Sequence, residues 1–277
     1  MRRDRTWLLL LPALGMLGGL FVAPLIWFLV RTLFVETAPA EVPDLFVDVL
    51  TSRPMQVAAL TTLWISVLVT LATLAIGYPI AFYLANRRGL RAALVVFCVI
   101  VPYFTSVIVR TYSLTVLLGR AGIVNESLRA VGLIGAPLPL LYNTFAIVVG
   151  MTYVLLPYMV LTLFATMKGI DPTLLRAGRA LGASGPYLFR RVYLPLSWPG
   201  IVSGSLIVLI LALGFFITPA LMGGPGDVTV AMLIERAIEI LIDWPSAAVM
   251  SVVLLAATLI LFSVYGRVTD MRRMMGG

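Results

Sequence analysis

Few side chains in this 277-residue chain have the chemistry that catalysis or metal binding requires. The sequence contains no histidine, which excludes zinc sites built on imidazole, Ser-His-Asp triads and histidine proton relays. Cys98 is the single cysteine, so the chain forms no internal disulfide. Lys168 is the single lysine, and because Gly169 follows it there is no GxxxxGK[ST] phosphate-binding loop. We therefore expect a chain that is not an enzyme, holds no metal or cofactor, and does not bind ATP by itself.

The composition is typical of a protein that resides in a lipid bilayer. Hydrophobic residues make up 61% of the chain and charged residues only 12%, and the apolar residues are concentrated in long uncharged runs. A helix needs about 20 apolar residues to cross a hydrocarbon layer about 30 Å thick. The runs predict an all-α integral membrane protein in which residues 1–277 form one domain. Its six predicted spans lie near residues 7–33, 57–84, 92–117, 141–166, 200–221 and 246–266.

The basic residues predict the orientation, because cytoplasmic loops of membrane proteins are enriched in lysine and arginine. An even number of spans places both termini on one side. That side carries 14 basic and 3 acidic residues (net +11), and the other carries 6 arginines and 9 acidic residues (net −3). We expect both termini in the cytoplasm. The asymmetry also accounts for the total charge of +8, so we expect no nucleic acid as a partner.

The acidic residues lie at or beyond the ends of the predicted spans. Ion-coupled carriers usually bind their coupling ion to a buried carboxylate or histidine, which disfavours a secondary transporter acting alone. A sodium site built from backbone carbonyls stays an alternative. A membrane hydrolase is disfavoured because no pair of aspartates lies within a span. A chain that moves a solute without coupling ions needs energy from a partner protein.

Five prolines interrupt the predicted spans, and several have aromatic neighbours. A proline inside a helix removes one backbone donor and frees a carbonyl, which can produce a kink that faces a cavity. Ordinary packing is the alternative interpretation of the aromatic residues. Gly200 and Gly204 form a GxxxG pattern, which permits two helices to approach closely. The prolines are Pro24, Pro79, Pro102, Pro157 and Pro219.

Two segments on the predicted outer side have recognisable patterns. Residues 125–132 are predicted to form a short helix, with Asn125 as its N-cap and Gly132 as its C-terminal stop. Glu235, Glu239 and Asp243 recur every four residues, which would place three carboxylates on one side of a helix. This carboxylate stripe is either a solvated helix face or a surface that attracts or docks something cationic.

The segment 168–198, called here the 168–198 loop, is the largest predicted cytoplasmic loop. Asp171-Pro172 predicts the start of a first short helix and Gly182 its end. Pro186 predicts the start of a second helix, which Leu194-Pro195 would end. Two basic, exposed helices around a glycine have the shape of a knob that docks in a partner's groove. The alternative is a positively charged loop that only fixes topology.

The 168–198 loop resembles the EAA motif of ATP-binding-cassette importer permeases. That motif consists of Glu-Ala-Ala, a glycine, nine residues, an aliphatic residue, any residue and Leu-Pro. Arg176 stands where the family usually has glutamate, and Gly178 stands for the second alanine. The resemblance implies that this loop couples the chain to an ATPase. The matching residues are Ala177, Gly182, Val192, Leu194 and Pro195.

From about residue 55 to its end, the chain is similar to the first permease subunit of spermidine/putrescine-type importers. The resemblance implies a type I importer transmembrane domain in the bacterial inner membrane, which moves polyamine-like cations from an external solute-binding protein into the cytoplasm. It also implies a second permease and two ATPase subunits that bind ATP and magnesium. Opines, γ-aminobutyrate or other amino-acid-like solutes are the alternative cargo. The similar stretches are residues 101–104, 110–112, 118–125, 153–157, 213–224 and 243–245.

Such a cation would cross beside aromatic side chains, hydroxyls and carbonyls freed at prolines. Cation–π contacts contribute about 0.5–2 kcal/mol each, which guides a cation without holding it tightly. We therefore expect the affinity to reside in the external binding protein. Tyr103, Tyr153 and Phe216 are the candidate path residues, and the carboxylate stripe is the candidate outer docking or steering face.

Overall fold

All regular structure is helical in the part of the chain that the computed structural model describes, residues 11–35 and 37–275. This confirms the all-α prediction. Short π- or 3₁₀-helical turns join several of the α-helices. The α-helices of this part are α1 Leu11–Leu17, α2 Ala23–Phe34, α3 Val42–Thr51, α4 Arg53–Asn86, α5 Leu90–Ile100, α6 Val107–Leu118, α7 Ile123–Ala130, α8 Thr144–Lys168, α9 Pro172–Ala180, α10 Gly185–Leu188, α11 Leu194–Leu213, α12 Ile217–Met222, α13 Val230–Arg236 and α14 Trp244–Met275.

Six helical segments of the described chain are long and apolar enough to cross a membrane, which agrees with the number of predicted spans. The first predicted span begins at residue 7, and residues 7–10 lie outside the described residues. The side of the membrane that each terminus faces stays a prediction. The six segments are Leu11–Phe34, Arg53–Asn86, Val107–Ala130, Thr144–Lys168, Gly185–Leu213 and Trp244–Ser263.

The predicted third span, 92–117, is wrong as a single helix. A 3₁₀ turn containing Pro102 follows α5, and the backbone is extended at Thr105 and Ser106 before α6 begins. The Thr105 hydroxyl stabilises this break by donating to the Pro102 carbonyl at 2.7 Å. A turn also separates α6 from α7, so the apolar part of the third long segment is α6 alone. We interpret α5 and α6 as the two halves of the third crossing.

The described residues form two compact units, and the single domain predicted for the chain stays a prediction. In the larger unit, residues 57–232 and 254–275, the central element is α8. Its buried side chains, among them Met151, Leu155 and Met159, form the middle of the hydrophobic core. In the smaller unit, the edge of the Phe28 ring packs against Trp244, with 5.9 Å between the centroids.

The GxxxG pattern brings α11 against α8. A Cβ atom on Gly200 would lie 2.8 Å from Thr166 Cβ, and one on Gly204 would lie 2.8 Å from the Met159 sulfur. Real Cβ atoms do not approach other atoms so closely, so only glycine permits this helix separation. The glycines therefore serve packing within this chain.

Wide π-helical turns precede two of the prolines. Gly18–Val22 ends two residues before Pro24, and Phe189–Tyr193 ends two residues before Pro195. A proline has no N–H, and its ring collides with the carbonyl four residues earlier. In both cases that fourth preceding residue lies inside the wide turn, so the chain stays helical through the proline.

Asn125 is not the N-cap that the sequence predicts. The helix begins two residues earlier at Ile123, with Gly122 as its N-cap in an extended conformation. The Asn125 side chain is fully buried, donates to the Gly119 and Leu138 carbonyls, and accepts from the Leu138 N–H. Asn125 therefore joins α7 to the segment that follows it. The predicted stop is confirmed, since Gly132 has a φ of +75°.

Cys98 permits a direct test of topology. It lies on α5 and lines an apolar groove of about 350 Å³ with Pro102, Tyr153 and Pro157. A membrane-impermeant maleimide added to intact cells should leave Cys98 unlabelled, because we expect it in the cytoplasmic half of its span. The control is Val131→Cys in a Cys98→Ser background, an exposed position after α7 that should label readily. Labelling of Cys98 as fast as at position 131 would contradict a six-span topology with cytoplasmic termini.

Candidate functional site

The first helix of the 168–198 loop begins where the sequence predicts. Asp171 is the N-cap of α9, and its carboxylate accepts a hydrogen bond from the Thr173 N–H at 2.8 Å. Hydrogen bonds from the Thr173 side chain and backbone hold the pKa of Asp171 below its usual range, since they stabilise the ionised form. The cap is therefore present at neutral pH and is lost as the pH falls through this lowered pKa.

The turn at Gly182 also agrees with the prediction. Gly182 has a φ of +84°, a left-handed conformation that side chains with a Cβ rarely adopt. Its N–H donates to the Arg179 carbonyl, and the Ala183 N–H donates to the Gly178 carbonyl, both at 3.0 Å. This pair of bonds is a Schellman motif, which ends a helix by satisfying its last carbonyls.

The predicted end of the second loop helix at Leu194-Pro195 is wrong. This helix, α10, passes through the π-helical turn Phe189–Tyr193 directly into α11. The Leu194 N–H donates to the Phe189 carbonyl five residues earlier, and this wider turn leaves room for the proline ring. The loop is therefore joined to the fifth membrane-spanning segment without an interruption.

Four aromatic rings fix this wide turn against α4, and sequence reasoning did not identify them. The shortest contact is between the rings of Phe82 and Tyr193, whose centroids are 4.8 Å apart. Asn86 donates to the Tyr193 hydroxyl at 3.1 Å, and the Tyr78 hydroxyl pairs with Ser197 Oγ at 2.9 Å. The spacing of four residues within each pair of rings was the available signal. The rings, called here the aromatic cluster, belong to Tyr78, Phe82, Phe189 and Tyr193.

The residues that resemble the EAA motif divide into an outer and an inner group. Arg176 and Ala177 are exposed, whereas Val192 and Leu194 are half-buried. Apolar side chains are exposed next to the outer group, most of all Leu181 at 88% of its surface. An apolar surface with arginines around it is typical of a protein interface. We define the loop surface by its exposed residues Leu174, Arg176, Ala177, Arg179, Leu181 and Tyr187.

Packing gives a reason for Gly178 where the family usually has alanine. Gly178 lies against Leu188, a buried residue of α10, and a Cβ on Gly178 would overlap the Leu188 Cδ2 methyl. An alanine would therefore require the Leu188 side chain to rotate. The glycine lets α9 and α10 pack closely on each other.

The three candidate path residues are partly exposed, and their rings form no single group. Tyr103 follows Pro102 in the 3₁₀ turn and packs against Tyr158, with centroids 5.5 Å apart. Tyr153 lies on α8 in the groove that Pro102 also lines. Phe216 lies at the break between α11 and α12, and no ring contact in the described part of the chain joins it to either tyrosine. Their role in transport stays a prediction.

The prediction that the carboxylate stripe forms a single helix face is wrong. α13 ends at Arg236, a π-helical turn follows, and Ile242 then adopts a left-handed conformation with a φ of +53°. Glu235 is half-buried and Glu239 is exposed. Asp243 lies beyond the helix and accepts from the Ser246 N–H at 3.1 Å, which caps the start of α14. A four-residue spacing aligns side chains only on a regular α-helix, and the π turn interrupts it here.

Known transport proteins are similar to this chain along most of its length. The family model described as "Binding-protein-dependent transport system inner membrane component" matches residues 7–272. The spermidine/putrescine transport system permease protein PotB of Escherichia coli K12 is 36% identical over 208 residues, which cover 75% of this chain and 76% of PotB. PotB of Haemophilus influenzae is 36% identical over 206 residues, covering 74% and 72%.

Solved structures of ABC transporters share the fold of this chain. A bacterial alginate ABC transporter, in complex with its alginate pentasaccharide-bound periplasmic protein, superposes with a TM-score of 0.73 at 18% identity. The match covers 98% of this chain and 96% of that one. The inward-facing MetNI methionine ABC transporter gives a TM-score of 0.58 at 18% identity, covering 80% and 99%. The fold is therefore that of a type I importer permease.

The aromatic cluster should stabilise the fold measurably. Tyr193→Ala removes a buried ring and should lower the free energy of unfolding by about 3 kcal/mol. Tyr193→Phe keeps the ring and loses the bond from Asn86, so it should cost only about 1 kcal/mol. The measurement is denaturant unfolding in detergent. Tyr187→Ala, at an exposed ring of the same loop, is the control and should change stability by less than about 0.5 kcal/mol. Equal stability of all three variants would contradict the role of the cluster.

Proposed function

We propose that this chain, which belongs to the family of binding-protein-dependent transport system inner membrane components, is a permease subunit that imports polyamine-like small cations of the spermidine/putrescine class. It is a multi-pass protein of the bacterial inner membrane. Its family consists of transport components, and we assign no catalytic step to the chain itself. The observation that carries the choice of cargo is 36% identity, over three quarters of the chain, to permeases named for spermidine and putrescine.

The proposed transporter contains four further subunits of three kinds. A second, similar permease would complete the membrane path, and an external solute-binding protein would deliver the cargo. Two ATPase subunits, which would hold ATP and magnesium, would lie at the cytoplasmic face, and one of them would dock on the loop surface. The exposed Leu181 and the arginines around it support this docking, because they offer apolar area together with positive charge.

The continuity between the loop and α11 supports a mechanism of coupling. A displacement of α10 by the ATPase would be transmitted through the wide turn into α11, because the helix is not interrupted there. The aromatic cluster would carry the same displacement to α4. At the close contacts of Gly200 and Gly204, α11 would then move α8. Coupling would thus depend on packing rather than on a charge relay.

Uptake by the reconstituted complex tests the choice of cargo. Proteoliposomes that contain both permeases and the ATPase should take up labelled spermidine when ATP and the binding protein are present. Uptake of γ-aminobutyrate under the same conditions should be at the background level. Uptake of γ-aminobutyrate without spermidine would contradict a polyamine cargo and would leave the importer class intact.

Gly182 tests the coupling role of the loop. Gly182→Val forces a β-branched residue into a left-handed conformation, which costs about 1–2 kcal/mol and should disturb the turn between α9 and α10. We expect the variant to reach the membrane and to lose uptake, with the ATPase poorly retained or its hydrolysis uncoupled from transport. Gly182→Asn is the matched control, since asparagine tolerates this conformation, and should retain most of the uptake. Uptake by Gly182→Val at the wild-type rate would show that the loop does not transmit a displacement from the ATPase to the membrane helices.

The outer carboxylates make separable predictions. Glu235→Gln with Glu239→Gln should slow uptake most at low salt if the two residues steer a cation, because screening already weakens such steering beyond about 8–10 Å at physiological salt. If they dock the binding protein, a higher concentration of that protein should restore uptake. Asp243→Ala should instead lower stability by about 1 kcal/mol through loss of the cap, and Asp243→Asn should not. If uptake by the double variant is unchanged at every salt and binding-protein concentration, the two carboxylates form only a solvated surface.

A further inference from the structure

Arg110 is a buried cation that this chain leaves largely unpaired. It lies on α6, four residues after the break at Ser106, and only 7% of its surface is exposed. One nitrogen, Nη2, donates to the Thr105 carbonyl at 3.0 Å. Nε and Nη1 are buried and have no hydrogen-bond partner among the described residues. The sequence predicts this arginine to be one of the six on the outer side, so its burial is a finding of the structure.

Burial of an unpaired guanidinium is costly, and the group has no way to lose its charge. Arginine stays protonated in proteins, and removing such an ion from water costs several kcal/mol unless a counter-ion and hydrogen bonds compensate. The larger unit has two described acidic residues on its predicted outer segments. Asp227 accepts from Thr144 Oγ1 at 2.6 Å and from the Gly224 N–H at 2.9 Å, and Glu126 is exposed on α7. Because no described carboxylate pairs with Arg110, we look for its counter-ion outside the described part of this chain.

The surroundings place Arg110 next to the candidate path. Thr111 hydrogen-bonds to Thr218 at 3.2 Å, which fixes this part of α6 against α12. Arg110 donates to Thr105, which directly follows the 3₁₀ turn that contains Tyr103, and the Tyr103 ring packs against Tyr158. The guanidinium therefore lies beside the turn that carries Tyr103, one of the candidate path residues.

We propose that Arg110 is a carboxylate-binding residue whose anionic partner is not part of this chain. A guanidinium binds a carboxylate with paired N–H bonds, and most of its five donors are unused here. A carboxylate side chain of the second permease and a carboxylate on the cargo are the two possible sources. Polyamines carry no carboxylate, so under the proposed function, on which this step rests, the second permease supplies it.

The experiment uses the assembled transporter with Arg110→Gln. Its thermal midpoint and its uptake of spermidine and of γ-aminobutyrate are compared with wild type. We expect a lower midpoint of the complex and at least a tenfold loss of spermidine uptake. Neutralising one acidic residue of the second permease in the Arg110→Gln background should restore part of the uptake, since it removes the unpaired opposite charge. Arg120→Gln, at an exposed arginine of the turn after α6, is the matched control and should change neither quantity.

The outcomes separate this proposal from the proposed function. A raised KM for γ-aminobutyrate alone, with an unchanged midpoint, would assign the carboxylate to the cargo and would contradict a polyamine importer. If the wild-type transporter does not take up spermidine, the proposed polyamine cargo is overturned. The thermal midpoint of the Arg110→Gln complex would still test whether Arg110 has a partner in the second permease. If Arg110→Gln does not assemble, Arg110→Lys, which keeps the charge and loses the paired geometry, should assemble and lose at least tenfold in uptake. An Arg110→Gln complex with the wild-type midpoint and wild-type KM for both solutes would overturn the proposal.

Discussion

Backbone hydrogen bonding inside an apolar layer is the constraint on which the rest of this structure depends. Each N–H and C=O in the hydrocarbon needs a partner within the protein, so the spans are helices. Prolines violate that requirement locally, and the chain responds with π-helical turns before Pro24 and Pro195 and with an extended break after Pro102. These departures also orient side chains. The turn before Pro195 directs Phe189 and Tyr193 toward α4, and the break after Pro102 precedes the buried Arg110.

Close packing turns this set of helices into a device that can transmit a displacement. α8 is the most buried of the membrane segments, and α11 approaches it where Gly200 and Gly204 leave no side chain between the backbones. The 168–198 loop enters α11 without an interruption, and Gly178 allows its first helix to lie against Leu188. A dense interior responds to a push by moving whole helices, since it has little free volume to absorb one.

The sequence predicted those features that local chemistry determines. The start of α9 at Asp171 and its end at Gly182 follow from a cap and from a backbone angle, so they could be identified without tertiary structure. The incorrect predictions concern features that distant contacts or wide helical turns determine. Asn125 has the residue type of an N-cap, but its burial against Leu138 depends on a segment thirteen residues away. Asp243 continues the four-residue spacing in the sequence, but a π-helical turn interrupts the helix before this residue. No sequence pattern marks such a turn.

In the proposed mechanism, the second loop helix and the fifth span move as one body during transport. Spin labels at Tyr187→Cys on α10 and Leu211→Cys near the end of α11, in a Cys98→Ser background, would report the distance between them in the assembled transporter. The distance should have one narrow distribution that is the same without nucleotide and with ATP trapped in the ATPase. A shift or a second population on ATP binding would show that the helix bends at the wide turn and would contradict movement as one body.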